Sequence, residues 1–389
     1  MPFAIFVLAA TVFSMNTTEV MVSGLVPGLT QEFGVSVAAV GYLVSAYAVG
    51  MAIGAPILTV GMLRFSRKAA LIGLVATFVA GQTIAALAPA YAVLFGARIL
   101  TALAAGAFFG TAASVCVSLV GAQNRGRALS VVFGGLMVAQ VAGLPAATFA
   151  QQHLGWRASF WGVDGLALVC LIAIVAAVPR TPAPGRIDIR AELGAFRNGR
   201  LWVAYATNAL SVGAVFATFS YLFPVLTELS GFSAAAVPLL FLVYGLATVI
   251  GNIVVGRLAD RHNVGVLAYG QLALVIVLAC FAVFAGDKVA AVCCLVVLGL
   301  VGLPLSSARG ARIMAVSNNR PLISTVATSM VNVGIILGPW LGGLALGSRL
   351  SYHAPMWIGA VLAIAGLLSV VPAVLETRRA TGEPALVRR

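Results

Sequence analysis

The chain is divided into continuous apolar stretches, and each is long enough to cross a bilayer. They fall near residues 3–28, 37–60, 69–88, 91–119, 128–150, 158–178, 201–227, 234–256, 264–285, 288–308, 321–346 and 354–373. A helix rises 1.5 Å per residue, so about 20 residues cover a hydrocarbon core of about 30 Å. A transmembrane β-barrel would alternate apolar and polar positions instead of running apolar throughout. Charged residues make up only 8% of the chain, against about 25% in soluble domains. The reading is an all-α integral membrane protein with twelve transmembrane helices.

One long polar break divides these stretches six and six: PRTPAPGRIDIRAELGAFRNGR, from Pro179 to Arg200. The expected organisation is a bundle over 1–178, a cytoplasmic linker over 179–200, a second bundle over 201–373 and a cytoplasmic tail over 374–389. Paired six-helix halves are a common transporter architecture. The positive charges orient the chain. With both termini inside, eighteen Lys and Arg residues fall in inner loops, linker and tail. Only Arg157, Lys288 and Arg349 fall outside. That bias puts both termini on the cytoplasmic side of the membrane. It also gives the net charge of +13 a membrane explanation, so no nucleic-acid partner is expected. The expected partners are lipid, a small-molecule substrate and protons, and the expected state is a monomer.

Polar groups inside the spans carry the chemistry. Glu19 lies deep in the first span, in SMNTTEVMVSG. A carboxylate in hydrocarbon costs several kcal/mol unless it faces a cavity, is paired or takes a proton, which makes Glu19 the leading proton-exchange candidate; a structural tie to another helix is the alternative. Arg98 in the fourth span stays charged and must find a carboxylate, carbonyls or water. Asp164 in the sixth span is a further acid, with a capping role equally open. Arg309, near the end of its apolar run, is expected to snorkel towards water. Asn16, Thr17, Tyr42, Gln140, Asn208, Phe216, Tyr221 and Asn332 form the candidate substrate-facing set, because an apolar pocket with a few amides and hydroxyls suits an amphipathic small molecule. Most aromatics in such spans are ordinary packing.

Pro145 removes a helical donor in the fifth span and should disturb the preceding turn. Gly134, Gly135 and Gly143 allow close helix contact beside it, as do Gly50, Gly54, Gly106, Gly110, Gly334 and Gly338 in other spans. No Walker A segment is present, so ATP drive within the chain, a cofactor and an enzymatic activity are not expected. The histidines and the five cysteines show no metal spacing, and no metal site is expected.

These features resemble the major facilitator superfamily over essentially the whole chain, and specifically its twelve-span drug:proton antiporters. The loop pattern G-x-x-x-D-R-x-G-R-[RK] between spans two and three appears as TVGMLRFSRK, with Arg64, Arg67 and Lys68 at its basic positions but Leu63 in place of the acid and Ser66 in place of the second glycine. The second half keeps GRLADR, matching Gly256, Asp260 and Arg261. Arg98 matches the fourth-span arginine that the family links to proton coupling. GLPAA, with Gly143 and Pro145, resembles the fifth-span antiporter motif. The opening stretch is most similar to actinobacterial chloramphenicol-resistance exporters, with TTEV where those have TSEF. The resemblance implies two bundles about a central cavity, gating at the loop motifs, and proton-driven efflux of chloramphenicol or related phenicols. Neighbouring branches export sugars or purines, and a non-transporting membrane sensor could share these features.

Overall fold

The computed structural model describes residues 2–62, 65–120, 124–179, 198–317, 321–347 and 351–382. Among the described residues, twelve helices are long and apolar enough to span a membrane. They are α1 (Phe3–Gly24), α2 (Val37–Gly54), α3 (Arg67–Ala86), α4 (Tyr91–Ser118), α5 (Arg127–Leu154), α6 (Trp156–Ala177), α7 (Gly199–Phe219), α8 (Ala234–Ala259), α9 (Arg261–Phe284), α10 (Lys288–Ile313), α11 (Val326–Gly347) and α12 (Ala354–Leu375). The protein is all-α, in the two six-helix-bundle architecture. Residues 180–197, most of the polar break, lie outside the described residues, as does the end of the tail.

Local chemistry sets the ends. α1 tightens into a 3-10 turn at Val22–Gly24 and stops short of the expected residue 28. A separate short helix, Val26–Phe33, starts with Pro27 in its first turn and ends at Gly34, which has φ of 62°. That left-handed conformation is one glycine adopts without a Cβ penalty. The expected span 201–227 also ends early, at Phe219, and the chain turns through Leu222–Pro224 into a π turn at Val225–Leu229. α8 and α9 form one helical run broken at His262 (φ −139°, ψ 54°). α10 breaks into turns at 302–305 and resumes as a helix from Ser306, running past the expected residue 308, which brings Arg309 into the bundle.

The halves are arranged by which side chains each helix can afford to expose. α6, α9 and α12 present exposed apolar residues such as Ile172, Ile276, Val361 and Leu368, which suit contact with lipid tails. α1 and α7 are the most deeply buried of the twelve. Small residues bring helices together, because packing rather than hydrophobicity drives association within lipid. A Cβ on Gly334 or Gly338 of α11 would stand 2.4 Å from carbonyl oxygens of α7, at Ala209 and Gly213. Gly50 and Gly54 approach α4 in the same way, whereas Gly110 and Gly134 face open space.

The two halves meet crosswise, α2 against α11 and α5 against α8. With twelve antiparallel spans, α1 begins and α12 ends on one face, the terminal side. The polar and closest contacts between halves lie towards the opposite, far side. Ser45 donates to the Ile336 carbonyl at 3.0 Å. Gln152 donates to the Ala234 carbonyl at 2.6 Å. A Cβ on Gly245 of α8 would stand 2.6 Å from the Gln140 carbonyl of α5.

Candidate functional site

The first half holds a buried polar cluster drawn from four helices. Arg98 of α4 is fully enclosed, with 0% of its side chain exposed. Its Nη1 donates to the Thr18 carbonyl at 2.5 Å and its Nη2 to the Glu19 carbonyl at 3.4 Å. The guanidinium carbon stands 4.3 Å from the ring centroid of Tyr47 on α2, a cation–π contact that partly replaces lost hydration. Tyr47 itself donates to the Met15 carbonyl at 3.2 Å. Gln82 of α3 donates to the Thr18 hydroxyl at 2.9 Å. Thr18 is therefore the hub, taking one helix on its carbonyl and another on its hydroxyl.

Arg98 is thus held by the main chain of α1 and an aromatic face, while its Nε is buried without a partner among the described residues. The Glu19 carboxylate, also buried, makes no ion pair and no hydrogen bond within the described residues. The structure brings Glu19 and Arg98 together at the backbone while leaving the acid itself free.

α1 and α5 cross in close contact. A Cβ on Gly143 would stand 2.2 Å from Thr17 Oγ1, and one on Gly135 would stand 2.4 Å from the Ala9 carbonyl. Between them, Ala139–Gly143 forms a π turn immediately before Pro145. Pro145 has no N–H to bond the carbonyl four residues back, and its ring would clash there; a widened turn relieves both. Gln140 sits in this turn, buried, with Oε1 lacking a partner. Asn16 donates to the Leu136 carbonyl at 3.3 Å, tying α1 to α5. Thr17 turns back to its own helix, at the Phe13 carbonyl.

The remaining candidates separate into other places. Tyr42 and Tyr221 meet at the far-side seam. Tyr221 is fully buried and donates to the Pro339 carbonyl at 2.7 Å, packed against the main chain of Gly41, Gly342 and Gly343. A pocket of about 330 Å³ opens at the rim of this seam, lined by Ser36, Val37, Ala38, Leu346, Gly347 and Tyr352. Phe216 stacks edge-on with Phe219, which meets Tyr244. Asn332 is buried in α11. Asn208 is engaged by Arg309, whose Nε donates to its Oδ1 at 2.8 Å. Arg309 is 2% exposed, so it does not snorkel to water. Asp164 is no helix cap: its Oδ2 accepts from Thr83 of α3 at 2.9 Å and its Oδ1 has no partner.

The loop-motif residues act at helix ends. Arg67 Nη1 donates to the Ser114 carbonyl at 3.5 Å and Lys68 Nζ to the Val175 carbonyl at 2.7 Å. Val175 lies in the last turn of α6 and Ser114 one turn before the end of α4, so both cations approach the negative end of a helix dipole. Arg64 lies outside the described residues, as does the side chain of Asp260. Gly256 has open space where a Cβ would be, and Arg261 is exposed.

A family model described as Major Facilitator Superfamily matches residues 6–317. The chain belongs to the major facilitator superfamily. Within it, the chain is 33% identical to a Streptomyces lividans protein named chloramphenicol resistance protein, over 96% of both chains. It is 34% identical to the Escherichia coli inner membrane transport protein YdhP, over 93% of this chain and 94% of that one. It is 32% identical to YtbD of Bacillus subtilis, an uncharacterised transporter of the superfamily, over 94% and 93%. Members of the superfamily are carriers of small molecules, not enzymes, and this chain is a multi-pass bacterial membrane transporter.

Sequence reasoning passed over Gln82 and did not give Thr18 its central place. The available signal was the amide itself: a glutamine inside an apolar span needs a partner there.

Proposed function

We propose that this transporter exports small amphipathic drugs in exchange for protons, with chloramphenicol or a related phenicol the first cargo to test. The observation that carries the coupling half of this reading is the Glu19 carboxylate, buried and without a hydrogen bond among the described residues. Arg98 clamps the main chain at Glu19, which fixes where the acid sits while leaving it free to exchange a proton. Taking up a proton removes its charge beside a permanent cation. Such a change drives a cycle only if the two conformations differ in their affinity for the proton. In this reading the arginine bias sets the terminal side in the cytoplasm, and the contacts at Tyr221 lie on the periplasmic side.

The substrate half rests on the Streptomyces lividans relative and on the character of the spans. Asn16, Gln140 and Asn332 offer amides among apolar and aromatic walls, suited to hydroxyl and amide groups on a flat molecule, whereas both ends of the Asn208 amide are already engaged. A sugar or purine would find the same groups, and a sensor without flux would use the same fold.

The test expresses the chain in a host stripped of its own major exporters and follows labelled chloramphenicol, arabinose and hypoxanthine. Lower chloramphenicol accumulation than in vector controls, restored by a protonophore, is the expected result. Export of arabinose or hypoxanthine alone would replace the phenicol reading. Binding of chloramphenicol to purified protein with no flux in either direction would favour the sensor.

A further inference from the structure

The second half contains a buried charge that the proposed proton chemistry does not use. Arg309 of α10 is 2% exposed, and its Nε is bonded to Asn208 Oδ1 of α7. Asn208 in turn donates from Nδ2 to the Ala327 carbonyl of α11 at 3.1 Å. The result is a three-helix chain, α10 to α7 to α11, headed by a guanidinium. The Nη1 of that guanidinium is buried and has no partner among the described residues.

The two buried arginines have different electrostatic surroundings. Arg98 has both Nη atoms on carbonyls, a tyrosine face beneath it, and the Glu19 residue alongside. Arg309 has no such set. Within the spans α7 to α12 no Asp or Glu occurs; Asp260, between α8 and α9, and Glu376, just past α12, are the acids at that end of the bundle, and their side chains lie outside the described residues. Among the described residues Arg309 also makes no ion pair. A charge held in hydrocarbon without a countercharge is costly, and arginine cannot shed its proton to escape that cost. A tie between α7 and α10 does not require this expense, since a neutral amide could donate to Asn208 equally well. What the guanidinium adds is a planar fork of donors matched to a planar pair of oxygens.

We infer that Arg309, positioned by Asn208, is a recognition site for a single carboxylate on an amphipathic cargo. The inference rests on the reading of the chain as a small-molecule exporter and widens its cargo from neutral amphiphiles to amphipathic monoacids. One fixed cation suits one negative charge and not a polyanion. The carboxylate engages the fork through Nη1, and the Asn208 bond to Nε holds the plane of the guanidinium in place. The fork is enclosed in the present conformation, so cargo reaches it when α10 and α11 part from α7 in the transport cycle.

The experiment uses the full chain in lipid nanodiscs and two matched probes, naphthalene-2-carboxylate and naphthalene-2-carboxamide, with dissociation constants measured by calorimetry. The wild type is expected to bind the carboxylate more tightly than the amide. Arg309→Gln is expected to weaken carboxylate binding about tenfold, in keeping with loss of a charge-assisted bond, while the amide changes less than twofold. Arg309→Lys, which keeps the charge and loses the fork, is expected to weaken the carboxylate about threefold, and it decides the matter alone if Arg309→Gln does not fold. Equal weakening of both probes, unchanged carboxylate binding, or no preference for the carboxylate in the wild type would overturn the inference. Chloramphenicol efflux is scored separately, so its absence counts against the proposed drug cargo and leaves the carboxylate preference to stand or fall by itself.

Discussion

Gly143 lies so close to Thr17 that a Cβ on it would stand 2.2 Å from the threonine hydroxyl oxygen. The main chain of α5 therefore packs directly on a side chain of α1 at the π turn Ala139–Gly143, and on the α1 main chain two turns earlier, at Gly135. Gly143→Leu is expected to destabilise the protein by about 1–3 kcal/mol through overpacking, lowering the melting temperature in detergent and abolishing transport. Gly134→Ala, on the same helix but facing open space, should leave both unchanged. An unaltered melting temperature for Gly143→Leu would mean that the crossing is looser than the geometry indicates.

Much of this was legible in the residues, because membrane helices write their lengths in apolar runs. Pro145 foretold a disturbed turn, since a missing donor has only a few remedies. The ends were less legible. Span 201–227 reads as continuous because Leu222, Phe223 and Leu226 are apolar, yet the chain turns at Tyr221. Arg309 reads as interfacial because Ser306 and Ser307 precede it and the apolar run fades there; α10 nevertheless continues to Ile313. Arg98 could be assigned a partner only as a class. Its actual partners are main-chain carbonyls of Thr18 and Glu19, and every residue has a carbonyl, so the side-chain sequence carries no trace of that choice.

The far-side seam depends on Tyr221, whose hydroxyl bonds the Pro339 carbonyl at 2.7 Å. Tyr221→Phe keeps the ring and removes that bond, worth about 0.5–1.5 kcal/mol. The expected effect is a shift of about two- to tenfold towards the conformation open on that side. A cysteine at Ala38, in an otherwise cysteine-free background, should then be labelled faster by a membrane-impermeant maleimide added on the far side. An unchanged rate would show that packing against Gly41, Gly342 and Gly343 holds the seam without the hydroxyl.

Lys68 meets the Val175 carbonyl in the last turn of α6, where a cation is stabilised by about 0.3–1 kcal/mol. Lys68→Ala should lower the melting temperature slightly, and Lys68→Glu should lower it further by placing a negative charge at the negative end of the helix. The difference between the two should shrink in high salt. Equal melting temperatures for Lys68→Ala and Lys68→Glu at low salt would remove the dipole contact as a source of stability.

The last prediction separates the acid from the clamp. Glu19 supplies a carboxylate free of hydrogen bonds within the described residues, and Arg98 holds the α1 main chain at Thr18 and Glu19. Glu19→Gln leaves the clamp intact and removes the exchangeable proton. In proteoliposomes it should lose uphill, pH-driven chloramphenicol transport by at least tenfold while retaining downhill exchange within about threefold, because conformational cycling does not need the proton if the barrier is otherwise unchanged. Arg98→Lys keeps the charge but cannot fork to two carbonyls. It should impair uphill and downhill transport together, because α1 itself loses its anchor to α4. Purified Arg98→Lys should also melt at a lower temperature than Glu19→Gln, since it loses a buried charge-assisted bond worth about 1.5–3 kcal/mol. If Glu19→Gln still accumulates chloramphenicol against its gradient at the wild-type rate, the proton is carried elsewhere, and Asp164, with one carboxylate oxygen bonded to Thr83 and the other without a partner, becomes the residue to replace.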